Sequence, residues 1–167
     1  MADETSARHA LPYLAAGQAQ KELTHNEALA LIDAGLHPAV VSAGVNTPPA
    51  DPEPGQCWLL GSTPTSEWAD HGAALACWTS GGWRFLPAIE GMCVWVIDQQ
   101  LWGVYEASGW QIGKARAGEV SIGGQQVVGA RLSGVPTPSG GTTIDVEGRA
   151  ALAAIIDRLA THGLIAA

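Results

Sequence analysis

Positive charge is scarce in this chain. Lys and Arg number 8 against 16 Asp and Glu, the formal net charge is −8, and no Lys or Arg lies between Glu22 and Trp83. Such a surface repels phosphates rather than neutralising them, which argues against direct DNA or RNA binding. The seven carboxylates between Glu22 and Trp83 read as a solvated acidic surface. Long apolar runs are also missing. None approaches the ~20 residues of a membrane span, so no membrane insertion is expected. The N-terminus, Met1-Ala2-Asp3-Glu4-Thr5-Ser6, is acidic and lacks the basic-then-apolar order of a signal peptide. The expectation is a protein made in the cytoplasm and not exported by the usual route. Cysteine is limited to Cys57, Cys77 and Cys93, an odd number, each with an apolar neighbour. That predicts buried free thiols rather than a disulfide framework. Without CxxC or HxxxH spacing, a metal site built on the three thiolates is not expected.

Catalytic constellations are equally sparse. The pairs Gly81-Gly82, Gly123-Gly124 and Gly140-Gly141 sit in turn contexts, with no GxGxxG or GxxxxGK[ST] cradle for phosphate and no GxSxG elbow. His9, His25, His37, His71 and His162 are scattered. Asp70-His71-Gly72 reads more simply as a polar turn than as half of an acid–base pair. Glu67 and Asp70 are the carboxylates left over for glycoside hydrolysis, whose required separation is spatial. The expectation is a non-enzyme with no cofactor and no metal, a glycan-degrading enzyme being the weakest reading.

What the chain does have is organisation. Only 14% of residues are charged and 47% are hydrophobic, which is not the composition of a disordered chain. Thr24-His25-Asn26-Glu27 has the form of a capping box, and Leu29, Ile32 and Leu36 follow at i, i+3 and i+7 on one helical face. Gly35 and Pro38 predict a break near Leu36-His37, with Ala39-Val40-Val41 as a second short helical turn. Residues 46–55 hold four prolines and form an extended or turning linker. A hairpin about Gly123-Gly124 and a Pro/Gly/Ser/Thr segment lead to the last element. There Asp145 is the N-cap, Val146 to about Thr161 the helix, and Gly163 the stop. Leu152, Ile155, Ile156 and Leu159 form an apolar stripe that needs its own domain or symmetry mates to pack on.

Between these helices lie all seven tryptophans, from Trp58 to Trp110. Candidate strands are 56–60, 73–79, 83–86, 93–97, 103–106 and 110–112, an antiparallel meander. Its clearest hairpin turns at Ser80-Gly81-Gly82. Trp78-Thr79-Ser80-Gly81-Gly82-Trp83 and Tyr105-Glu106-Ala107-Ser108-Gly109-Trp110 repeat one order of residue types, a weak internal repeat. An indole is a large apolar surface with an N–H to satisfy, so such a cluster is either a core or a set of flat faces for stacking. Trp78, Trp83, Trp95 and Trp110 read as core. Trp58, Trp68 and Trp102 are the candidates for a solvent-facing glycan contact. The fold class is therefore α+β, with a helical segment at 1–45, the linker 46–55, and a small Trp-rich meander or barrel-like domain at 56–117. A hairpin and linker follow at 118–143, then an oligomerisation helix at 144–167.

The string Leu11-Pro12-Tyr13-Leu14-Ala15-Ala16-Gly17-Gln18-Ala19-Gln20-Lys21-Glu22-Leu23-Thr24-His25-Asn26-Glu27-Ala28-Leu29 resembles the opening of a phage-associated domain family of unknown function. The family occurs in tail-fibre, spike and related proteins of tailed phages and gene transfer agents. The resemblance continues through Trp68-Ala69-Asp70-His71-Gly72-Ala73, Trp78, Gly82-Trp83-Arg84-Phe85 and Glu90-Gly91, covering about residues 11–110. The segment from Gly140 to Ile165 is similar to the short helix that closes many phage fibre proteins and commonly gathers about a threefold axis. Gly35 and Pro38 depart from the continuous helix expected near the start. The family's chemistry is uncharacterised, so the resemblance implies no catalytic residues.

Together these features predict a structural virion component, a fibre, spike or baseplate attachment protein involved in host-surface attachment. Gln18, Gln20, Lys21 and Asn26 are the candidate anchors to other virion proteins. Leu152, Ile155, Ile156 and Leu159 would drive a homo-oligomer, a trimer in the first instance and a pentamer at a capsid vertex as the alternative. The second reading is a lectin-like module that binds host capsular or surface polysaccharide through exposed tryptophan.

Overall fold

The computed structural model describes residues 4–15, 17, 21–142 and 145–166. The fold is α+β, and the chain divides into two units, Met1–Ala115 and Arg116–Ala167.

In the first unit, helix α1 spans Lys21–Gly35. It starts before the expected capping box, so Thr24 lies inside it. The Glu27 carboxylate does not turn back to a cap but pairs with the Arg84 guanidinium. The helix also packs differently from its apolar spacing. Ala30, Asp33 and Ala34 are buried, whereas Ile32 is 53% exposed and Leu36, just past the end, is exposed too. Small side chains let this face approach the sheets, and the polar contacts of Asp33 described below fix it there. The break after Gly35 falls where Pro38 predicts it, and His37 leaves the helix in the left-handed region at φ 46°.

Residues beyond the break are strands rather than a helical turn. β1 (Ala39–Val40) and β2 (Ala43–Val45) precede the proline linker yet belong to the sheets. β2 runs parallel to β3 (Cys57–Leu60), which pairs antiparallel with β4 (Leu75–Thr79), and that with β5 (Gly82–Leu86). β1 runs parallel to β6 (Cys93–Val96), followed by β7 (Leu101–Glu106) and β8 (Gly109–Ile112). In place of one meander there are two open four-stranded sheets, ordered β2-β3-β4-β5 and β1-β6-β7-β8.

The two sheets repeat one register. Trp78 faces Trp83 as Tyr105 faces Trp110, and Cys57 faces Cys77 as Cys93 faces Val104. Gly55 N–H donates to Trp78 O at 2.8 Å, and Gly91 N–H to Tyr105 O at 2.9 Å. Gly82 and Gly109 both follow their turns at φ 99°, a conformation that only glycine adopts without strain. The hairpin similarity in the sequence is thus the visible part of a duplication covering every strand of both sheets.

Two cores result. The first lies between the sheets, where Cys57, Leu59, Leu75 and Cys77 meet Val40, Val94 and Val96, with Ala34 of α1 alongside. The second gathers Trp58, Leu60, Trp68 and Ala76 on the other face of β3–β4, flanked by Trp78, Trp83 and Phe85. Trp68 enters it from a short 3-10 helix, Ser66–Trp68, on the loop between β3 and β4. That loop is closed at its base by a disulfide between Cys57 and Cys77, facing residues of β3 and β4 whose Cα atoms are 4.1 Å apart. The expectation of three buried free thiols is corrected: two are paired, and Cys93 is free but exposed.

The second unit contains a hairpin, β9 (Val120–Ile122) and β10 (Gln125–Val128), turned by Gly123 and Gly124 at φ 58° and 79°. Its helix α2, Val146–Thr161, is capped by Asp145, whose Oδ1 accepts from Gly148 N–H at 2.8 Å. Beyond Gly163 the chain returns to Leu132: Ala166 N–H donates to Leu132 O at 2.6 Å, and Arg131 Nε donates to Ile165 O at 2.9 Å.

Removing the disulfide should be costly because it closes a loop with a sequence separation of 20. The change Cys77→Ser is expected to lower stability by about 3 kcal/mol in urea unfolding. Alkylation of the native, unreduced protein should modify Cys93 alone; labelling at Cys57 or Cys77 would contradict the pairing.

Candidate functional site

Of the three tryptophans proposed for ligand stacking, two are core. Trp68 is 0% exposed and Trp58 only 6%. Their rings lie 6.2 Å apart, and each meets Trp83 edge-on, at 5.0 and 5.5 Å. The glycan assignment of Trp58 and Trp68 is therefore corrected, since neither offers a free face. The Trp83 indole N–H donates to Glu67 Oε2 at 3.1 Å, and that of Trp110 to Ala73 O at 2.8 Å. The buried Trp68 N–H has no hydrogen-bond acceptor and is enclosed by its neighbouring indoles.

Trp102 differs. It is 58% exposed, on the outer side of β7, and stands across the ladder from Trp95 with ring centroids 5.2 Å apart. In the duplicated register the counterparts of Trp95 and Trp102 are Leu59 and Leu75, both fully buried in the first core. One half thus uses these positions for the interior and the other presents indoles to solvent. Gln111, across from Val104 on that side, accepts from Lys114 Nζ at 2.6 Å.

The candidate anchors near the start of α1 have a different setting. Gln18 and Gln20 lie outside the described residues. Lys21 is exposed, and its carbonyl meets the His25 ring at 2.8 Å. Asn26 is engaged within the chain: Leu14 N–H donates to its Oδ1 at 2.9 Å, and its Nδ2 donates to Leu14 O at 3.1 Å. Its amide thus acts as a surrogate peptide that clamps the preceding segment to α1.

That segment is held further along by Asp33, which sequence reasoning counted among solvated carboxylates. Asp33 is buried, and accepts from Arg8 N–H at 2.9 Å and from His9 N–H at 2.7 Å. The His9 ring lies 3.1 Å from the same carboxylate. Burial alone would raise its pKa, but these bonds together with one from Ser6 outweigh that and hold it below the ordinary value. The Arg8 guanidinium turns to the end of α1, donating to Asp33 O at 2.7 Å, Ala34 O at 3.0 Å and His37 O at 3.0 Å. It satisfies carbonyls left open by the helix end. Burial lowers the Arg8 pKa, with the Asp33 charge opposing.

The four α2 residues assigned to oligomerisation sit on a helix with no buried residue. Leu152 and Ile155 are 49% and 51% exposed, and Ile156 and Leu159 half-buried. Among the described residues no three His, Cys, Asp or Glu gather as metal ligands would, and no helix is long and apolar enough to cross a membrane.

A depressed carboxylate pKa adds stability that is complete above its unfolded value, about 3.9, and lost as pH falls through the folded one. Asp33→Asn should therefore remove part of the acid sensitivity of unfolding and cost about 2 kcal/mol at neutral pH. Urea melts of wild type and variant between about pH 2 and 7 test this; parallel pH profiles would refute the role given to Asp33.

No curated protein matches the chain. A family profile described as "Protein of unknown function (DUF2793)" matches residues 25–111, so that Leu11–Thr24 falls outside the matched stretch. The match begins within α1, takes in β1 to β7 and ends inside β8, covering more than half of the chain. The chain belongs to that family of proteins of unknown function.

Proposed function

We propose that this protein is a structural component of a phage or gene-transfer-agent particle, a fibre, spike or baseplate attachment protein that assembles as a homo-oligomer through α2. The observation that carries the assembly is the second unit. Val120, Ile122, Val127 and Val128 of its hairpin and Val146, Leu152 and Ile155 of its helix are all exposed. A helix of this length is marginal alone in water, and an apolar stripe at this spacing is stabilised when copies meet at an axis. Three copies about a threefold axis suit such a stripe, and other virion proteins would hold the N-terminal segment around Lys21 and Asn26. The particle itself is an inference from the resemblance of residues 11–110 and of the final helix to phage proteins. On this reading the protein has a mechanical role and no catalytic one; Glu67, the carboxylate paired with Asp70 in the hydrolase reading, already accepts from Trp83.

A second, compatible reading is a lectin-like contact with host surface polysaccharide. The exposure of Trp102 beside Trp95 favours it, because a flat indole face open to solvent is a stacking surface.

Light scattering on the full chain should give a trimer, and the double variant Leu152→Glu/Ile155→Glu a monomer whose first unit keeps its unfolding midpoint. Equal subunit numbers in both would sink the α2 assignment. Mass spectrometry of purified particles should find the protein. For the second reading, Trp102→Ala should reduce binding to host cells about tenfold or more while altering stability by under about 1 kcal/mol. Undiminished binding would remove Trp102 from the contact.

A further inference from the structure

The turn from Asp70 to Ala74 borders a cavity of about 300 Å³. Its walls come from both sheets: Phe85 from β5, Tyr105 from β7, and Pro87 from the connection between sheets, with Asp70, His71 and Ala73 contributed by the turn. Asp70 and Ala73 both adopt left-handed backbone, at φ 69° and 62°. Asp tolerates that region; Ala does so only when its surroundings impose it. Here they do: Ala73 N–H donates to Gly61 O at 3.0 Å, and its carbonyl accepts the Trp110 indole at 2.8 Å. His71 lies flat on Phe85, with ring centroids 3.7 Å apart and planes 4° from parallel. Tyr105 is braced edge-on by Trp110 at 5.2 Å. Both rings and the turn are thus fixed before any ligand arrives, which lowers the entropy cost of binding.

From this arrangement we infer a binding site for a neutral sugar ring. A pyranose has apolar C–H faces and a rim of hydroxyls. The apolar walls of Tyr105 and Pro87 suit the faces, while Phe85, stacked by His71 and packed against the second core, holds the His71 ring in place. The Asp70 carboxylate can accept from two neighbouring hydroxyls, while the His71 ring and the Tyr105 hydroxyl can donate or accept. No Lys or Arg is among the lining residues, and Asp70 repels anions, so phosphorylated, sulfated and uronic sugars are disfavoured. The volume is at the lower end of small-molecule sites and suits one sugar unit. Hydrolysis is not implied, because Glu67 is not among the residues lining the cavity. The site depends neither on α2 nor on Trp102, which lies on the opposite face of β7 from Tyr105.

Titration of the full chain with methyl glucoside, methyl galactoside and methyl mannoside, followed by saturation-transfer NMR, tests this. At least one should bind in the millimolar range. Asp70→Asn, which keeps the left-handed tolerance, should weaken binding about tenfold or more, and Tyr105→Phe several-fold, with unfolding midpoints unchanged. Trp102→Ala and the Leu152→Glu/Ile155→Glu pair should leave it unaltered, so failure here is distinct from failure of the assembly or Trp102 readings. Absence of binding by all three glycosides would overturn the inference. So would binding indifferent to both cavity variants, or methylammonium binding more tightly than any glycoside.

Discussion

The segment from Pro38 to Val45 is the constraint on which the remainder of the first unit rests. Pro38 and Val40 carbonyls accept from Trp95 and Ile97 of the second sheet, both at 2.9 Å. Immediately afterwards Val41 N–H donates to Cys57 O at 2.7 Å, and Ser42 O accepts from Leu59 N–H at 3.1 Å, both in the first sheet. One short stretch of backbone therefore ladders two sheets at once. It fixes their separation and leaves Val40 fully buried between them. The helix before it is oriented from the same place, because Arg8 caps the carbonyls of Asp33, Ala34 and His37 just upstream. Such parallel pairings bring together residues far apart in sequence, and the entropy cost of loop closure must be met before they form.

The duplicated register shows how one pattern serves two purposes. In the first sheet the positions of Leu59 and Leu75 are interior, covered by the second sheet. In the second sheet no further layer follows among the described residues of the unit, and Trp95 and Trp102 occupy those positions. Cysteine behaves in the same way: Cys57 finds Cys77 opposite, while Cys93, its counterpart, faces Val104 and stays free. The second half lacks the cross-link and carries an indole pair in place of two leucines.

Much of this was legible in the sequence, and what was not has physical causes. The six strands of the Trp zone were readable because Gly-Trp turns punctuate them and β-branched and aromatic residues fill them. β1 and β2 were not, since strands of two and three residues have no periodicity to detect. The packing face of α1 was misread because it is built from Ala30, Asp33 and Ala34, and a buried aspartate is legible only through partners distant in sequence. The disulfide was hidden for the same reason: facing positions on antiparallel strands leave no fixed Cys spacing. The cap and apolar stripe of α2, by contrast, are local features, and Asp145 and Leu152 to Leu159 lie on the helix as read. For the candidate sites, composition could locate Trp58, Trp68 and Trp102 but not their exposure. The cavity at Asp70 depends on left-handed backbone at an alanine, which no residue preference suggests.

The tryptophan cluster also gives the protein an optical identity. Trp58, Trp68, Trp78 and Trp83 lie with neighbouring centroids 5.0–6.2 Å apart at steep interplanar angles. Indoles so close and so oriented couple their electronic transitions, and the resulting circular-dichroism bands exist only while the rings keep that geometry. Trp102, open to water, lies 5.2 Å from Trp95 at 67° and forms a second coupled pair with it, on the outer face of the other sheet. The chain thus carries two built-in groups of coupled indoles, one reporting on the integrity of its interior and one on the exposed face of the second sheet.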